Sequence, residues 1–230
     1  MPTLDALRKL FPRGYNSGDV LSRIPGPRRL LEEVRVGGSY REVFCRAVQP
    51  YITPASKVLE LGPGSGSWTR ALLKHVPHGE VHTVDFQDAR GWIHAEPGCG
   101  RLVCHQVTDN SFSGVPDRSF DFLWSFGVLC HNNAEHIREI FRNVLPKMKP
   151  GAYAAHEIGD WDKLEQLGWG FRWGVPARFK SLPDDAIWWP RNSAAQTCAI
   201  AVAEGWEVME RDLGVLRRDS LCVFRKPARG

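Results

Sequence analysis

Three glycines at alternate positions, Gly62, Gly64 and Gly66, follow a short apolar run that carries an acid, Glu60, just before the turn. Glycines so placed let the backbone turn sharply and let a ligand approach the main chain where a Cβ would collide. The next apolar run ends in Asp85, roughly twenty residues beyond the last glycine, the spacing at which nucleotide-binding folds present a carboxylate to ribose hydroxyls. Together these residues specify a site for an adenosine-bearing cofactor. Further on, Cys130-His131-Asn132-Asn133 follows a fourth apolar run. A histidine there suits removal of a proton from a hydroxyl group.

The type of cofactor follows from spacing and charge. A dinucleotide turn needs its third glycine two positions further along and sets pyrophosphate on a helix N-terminus. Here the pattern is Gly-x-Gly-x-Gly, and Glu60 would repel a pyrophosphate but attract an ammonium group. S-adenosyl-L-methionine carries adenosine at one end and an ammonium at the other. With these residues the chain resembles the class I S-adenosylmethionine-dependent methyltransferases. The resemblance continues through Thr108-Asp109-Asn110, Pro116-Asp117-Arg118-Ser119-Phe120-Asp121-Phe122 and the Leu145-Pro146-Lys147-Met148-Lys149-Pro150-Gly151 stretch. It implies a cofactor site of Glu60, Gly62, Gly64, Gly66 and Trp68, with Asp85 on the ribose and Phe86 and Gln87 beside adenine. Thr108, Asp109 and Asn110 would face the adenine amino group, and Ser125 and Phe126 the methionine part.

The elements that must hold these residues alternate between strand and helix. Strands are expected at Lys57–Leu61, Glu80–Val84, Leu102–Val107, Phe120–Ser125 and Gly151–His156, with helices at Tyr40–Gln49, Trp68–His75 and Ala134–Leu145. Such alternation predicts an α/β fold, a doubly wound, mostly parallel sheet covered on both faces. Helices are also expected at Leu4–Phe11, Arg28–Val34 and Ser193–Glu204. Strands Trp206–Asp212 and Ser220–Arg225 close the pattern, and the resemblance implies seven strands with the last antiparallel. The 230 residues, 43% of them hydrophobic, suit one domain. Residues 1–39 form an N-terminal cover, 40–158 the cofactor-binding core, 159–190 a Trp-, Pro- and Gly-rich lid and 191–230 a terminal helix and hairpin.

Methyl transfer from a sulfonium is a direct displacement, in which nucleophile, methyl and sulfur are aligned and water is excluded. His131 is the first candidate base, and His156, followed by Glu157, the second. The lid would wall the acceptor with Trp161, Trp169, Trp173, Trp188 and Trp189, and Tyr15 would close the opposite side. A small-molecule hydroxyl of natural-product or sugar type leads as acceptor. A small amine, or a non-catalytic cofactor-binding partner subunit, is the alternative. The acids Asp160, Asp162, Asp184 and Asp185 match no ligand spacing, nor do Cys104-His105 and Cys130-His131, so no metal is expected. A net charge of +4 with dispersed basic residues gives no nucleic-acid footprint. No apolar stretch reaches membrane-span length. Scattered cysteines and the N-terminal residues fit a cytoplasmic protein, as monomer or homodimer.

Overall fold

The computed structural model describes residues 15–93 and 100–228; the expected helix Leu4–Phe11 lies outside them. Seven strands form one sheet: β1 Lys57–Leu61, β2 Glu80–Asp85, β3 Leu102–Gln106, β4 Phe120–Ser125, β5 Met148–Gly159, β6 Glu207–Glu210 and β7 Asp219–Arg225. Their spatial order is β3-β2-β1-β4-β5-β7-β6. β1 to β5 are parallel, while β7 runs antiparallel to β5 and to β6. The strands buried on both faces read as near-continuous apolar runs, as parallel sheets do. Chain direction across the sheet reverses between β1 and β4, and that switch point opens a crevice at the carboxyl ends of the strands.

The helices are α1 Pro27–Val36, α2 Tyr40–Val43, α3 Ser67–His75, α4 Ala134–Val144, α5 Trp161–Leu167 and α6 Ala194–Ala203. Side chains cap several of them: Asn133 accepts from the His136 amide, Asp160 from the Asp162 and Lys163 amides, and Ser193 from the Gln196 amide. One apolar cluster lies between the sheet and α4 and α6, around Phe120, Leu123, Phe141 and Phe224. A second lies on the opposite face around Tyr40, Phe44, Trp68, Phe122 and Trp124. A third belongs to the segment after β5 and holds Leu164, Trp173, Val175, Phe179, Ile187 and Trp189.

Four expectations differ from these elements. β5 begins at Met148, not Gly151, because Met148 pairs with Phe120 ahead of a bulge in which Pro150 and Gly151 are accommodated. The helix expected over Tyr40–Gln49 keeps α-geometry only to Val43, then widens into a π-turn, Phe44–Val48, and ends in a tight turn at Pro50. The strand expected from Trp206 starts at Glu207, since Trp206 turns inward and its Nε1 donates to the Phe141 carbonyl at 3.1 Å. The aperiodic segment after β5 contains a helix, α5, held at its start by Asp160, whose other oxygen accepts from Ser220 Oγ at 2.7 Å.

Two buried ionisable groups shift the stability of this core with pH in opposite senses. His156 is fully buried between Phe141 and Phe224, and burial pushes its imidazole down to about 3. Unfolding therefore takes up a proton between pH 6.5 and 3, so stability falls as pH falls through that window. A shift of this size corresponds to about 5 kcal/mol at the acid end. Glu60 has the opposite sense: burial raises it from 4.5 to about 8, so the folded state loses stability as pH rises between those values. We expect the acid limb of the thermal-melt profile, between pH 6.5 and 3, to be flattened in His156→Gln. Parallel acid limbs in the two proteins would contradict the assignment.

Candidate active site

A cavity of about 430 Å³ lies at the carboxyl ends of β1, β2, β4 and β5. One half is bordered by the glycine turn and the ends of β1 and β2. Gly62, Gly64, Trp68, Asp85, Phe86, Gln87, Asn110 and Phe126 line it. The turn has a left-handed backbone at all three glycines, with φ of +62°, +54° and +82°. A Cβ on Gly62 would sit 2.4 Å from Val128 Cγ2, and one on Gly64 would sit 2.5 Å from the Tyr15 carbonyl oxygen. The Gly62 amide donates to the Val84 carbonyl, and Trp92 Nε1 to the Gly64 carbonyl, so the turn is anchored to its surroundings. Asp85, at the end of β2, accepts from the Gln87 amide at 2.8 Å.

The other half is lined by Tyr15, Tyr40, Cys130, His131, Glu157, Trp188, Trp189 and Arg218. His131 closes a tight turn after β4, Leu129–His131, and its Nδ1 donates to the Trp188 carbonyl at 2.7 Å. Trp189 meets the imidazole edge-on, with ring centres 5.5 Å apart. Asn192 Nδ2 donates to the Asn132 carbonyl at 2.7 Å and so ties the chain just after the tryptophan-rich segment to the histidine turn. Gly159 makes room for this arrangement, because a Cβ there would lie 2.6 Å from Trp189 Nε1.

Several expected site residues lie away from the cavity wall. Glu60 is buried beneath the turn and accepts from Thr69 Oγ1 at 2.6 Å. Gly66 shapes the turn without reaching the wall. Thr108 and Asp109 sit on the adjacent loop, where Asp109 accepts from the Ser111 amide and only Asn110 borders the space. Ser125 is buried and shares a 2.7 Å hydrogen bond with His156. His156 is accordingly a core residue, 0% exposed, with no access to an acceptor. Its neighbour Glu157 faces the cavity, because successive side chains of a strand point to opposite faces. Trp161 and Trp173 pack within the lid's own cluster, whereas Trp188 reaches the wall.

Wall residues that sequence reasoning did not assign include Tyr40 and Arg218, whereas Trp189, expected in the wall, reaches it. Arg218 is 8% exposed and forks onto Asp219, with Nε to Oδ1 at 2.8 Å and Nη2 to Oδ2 at 2.6 Å. Its Nη1 donates to the Trp173 carbonyl, and its guanidinium stacks 4.5 Å from the Trp189 ring. The available signal was Arg218-Asp219 directly ahead of the apolar run Leu221 to Phe224, where charges must enter the fold as a pair.

A family model for the methyltransferase domain matches residues 19–197. The chain belongs to that family. The sheet order, the glycine turn and the carboxylate at the end of β2 are features of class I S-adenosylmethionine-dependent methyltransferases. A S-adenosylmethionine-dependent methyltransferase from Aquifex aeolicus has the same fold, at a TM-score of 0.61 and 19% identity, over 84% of this chain and 92% of that one. A highly reducing polyketide synthase from Aspergillus terreus is 28% identical over 182 residues, 73% of this chain but 7% of that protein. A sterol methyltransferase-like protein from Botryococcus braunii is 27% identical over 107 residues, 45% of this chain and 27% of that protein. The methyltransferase described here thus spans only a small part of the curated relatives it matches.

Its glycine turn can be tested directly. Gly64→Ala places a side chain in left-handed backbone, at a cost of about 1–2 kcal/mol, and against the Tyr15 carbonyl as well. Calorimetric affinity for S-adenosylmethionine should fall by at least about tenfold, which is 1.4 kcal/mol. Unchanged affinity would mean the turn does not carry the cofactor. Among the described residues no group of three or more His, Cys, Asp or Glu side chains could hold a metal ion, and no helix is long and apolar enough to cross a membrane.

Proposed function

We propose that this methyltransferase moves the methyl group of S-adenosylmethionine to a hydroxyl of a small, largely apolar molecule, with His131 taking the proton. The carrying observation is one continuous cavity with a glycine turn at one end and a half-buried imidazole framed by tryptophans at the other. The donor set suits the cofactor. Asp85 would accept hydrogen bonds from the ribose hydroxyls, Phe86 and Asn110 would hold the adenine, and Gly62 and Gly64 would leave backbone for the methionine part. Glu60 supports the turn from beneath by accepting from Thr69 Oγ1. When bound, the cofactor supplies an electrophilic methyl group on a sulfonium.

The protein's own contribution is placement and proton removal. Donation from Nδ1 to the Trp188 carbonyl fixes the neutral ring with its lone pair on Nε2. Burial pushes His131 below its ordinary value of 6.5, so the ring is uncharged at neutral pH and competent as a base. Trp188 and Trp189, as part of a lid, exclude water from the reacting groups. The polyketide synthase relatives favour an acceptor of polyketide type. In such a molecule either a hydroxyl or a carbon made acidic by a neighbouring carbonyl could lose its proton to His131. Incubation with isotopically labelled S-adenosylmethionine and a metabolite extract, followed by mass spectrometry, should give a labelled small molecule. Label appearing only in protein or nucleic acid would overturn the reading.

A further inference from the structure

Two carboxyl groups and one guanidinium meet at the acceptor end of the cavity. Glu157 and Asp219 are 1% and 0% exposed, and each carboxyl lies close enough to feel the other's charge. Arg218 directs its fork entirely at Asp219. Glu157 accepts from the Gly127 amide at 2.8 Å and, among the described residues, forms no ion pair with a cation of its own. Two buried like charges with one counter-charge leave one carboxylate uncompensated, and such a group takes a proton. The other titratable groups facing Glu157 are Tyr40 from α2, Cys130 from the turn after β4 and, more distantly, His131. None of them brings a positive charge.

We propose that Glu157 stands in the cavity wall as a neutral carboxylic acid and donates its hydrogen to an oxygen of the methyl acceptor, which is therefore a neutral oxygen-bearing molecule and not an ammonium. The proposal rests on the methyl-transfer reading of this cavity. Burial and the Asp219 charge raise the Glu157 carboxyl from 4.5 to about 8, in the direction the charge count requires. A neutral acid offers one donor and no anionic contact for a cationic amine. An acceptor carrying a carbonyl or hydroxyl oxygen beside the methylated atom satisfies that donor, so the wall selects oxygen over ammonium nitrogen. Cys130, beside Glu157, is itself pushed up by burial and by the same carboxyl, and so adds no negative charge.

The test has two arms on the full chain. Infrared difference spectra at pH 7 should show a carboxylic-acid C=O stretch that Glu157→Gln removes, with the melting temperature and S-adenosylmethionine affinity kept. Absence of any acid stretch that Glu157→Gln removes would overturn the proposal. With an acceptor from the labelling screen, Glu157→Gln, whose amide still donates, should stay within about threefold of wild-type kcat/KM, while Glu157→Ala loses about tenfold or more. Equal loss in both variants would overturn the donor role. Failure of the wild type to transfer methyl to any small molecule would instead remove the underlying reading, and the infrared arm tells the two failures apart.

Discussion

Replacing His131 by alanine should lower kcat by about 10²- to 10⁴-fold, the span that positioned general acid–base groups contribute, while leaving calorimetric affinity for S-adenosylmethionine unchanged. The separation is expected because His131 lines the acceptor half of the cavity, and the glycine turn and Asp85 line the other. The ring is set by two contacts from the lid: the Trp188 carbonyl on Nδ1 and the edge of Trp189. His131→Asn keeps a donor for Trp188 but has no basic nitrogen, so it should be nearly as slow as alanine. Because burial lowers the imidazole, activity should hold level from neutral pH down to below the ordinary histidine value before it fades. An alanine variant with full turnover would show that proton removal, if needed, happens elsewhere.

The second large effect is on stability. Arg218→Met should destabilise the protein by about 3–5 kcal/mol, the usual penalty for breaking a buried ion pair from one side. Asp219 is 0% exposed and takes both Nε and Nη2 of the guanidinium, so methionine leaves its charge without a partner. The loss also removes a donor to the Trp173 carbonyl and the stacking on Trp189. For a chain of this size, a loss of about 2–4 °C in Tm per kcal/mol is expected, so thermal melts should fall by roughly 10 °C. The double variant Arg218→Met/Asp219→Leu should recover most of it, since it removes both charges together. If the single and double variants melt alike, packing and not the charge pair is what Arg218 provides.

The sheet was legible because its strands are apolar runs separated by turn residues, and the glycine turn because its spacing is a direct demand of backbone geometry. The cofactor half followed from local order in sequence: Gly62, Gly64, Asp85, Phe86, Gln87 and Asn110 all border the cavity. The acceptor half did not, because its wall is assembled from distant segments. Trp188 and Trp189 come from the lid, Arg218 from the loop into β7, and Tyr40 from α2. Five tryptophans in one stretch could not be sorted by composition alone. Which of them face the cavity depends on the path of α5 and the tight turns after it, and that path is fixed by Asp160 gripping both Ser220 and the start of the helix. The choice between His156 and Glu157 turned on strand parity, which a single misplaced residue would reverse.

That parity has a consequence for how the molecule can vary. The bulge at the start of β5 is where this strand is phased against β4, several residues before its chemistry begins. A one-residue deletion there that made the rest of the strand slide along β4 would move the Glu157 carboxyl into the oily position of His156, put the imidazole in the buried place of Ala155 and bring Ile158 to the cavity. Insertions or deletions are therefore tolerable in this stretch only in pairs. An irregularity at the opposite end of the strand thus acts as the reading frame of the site.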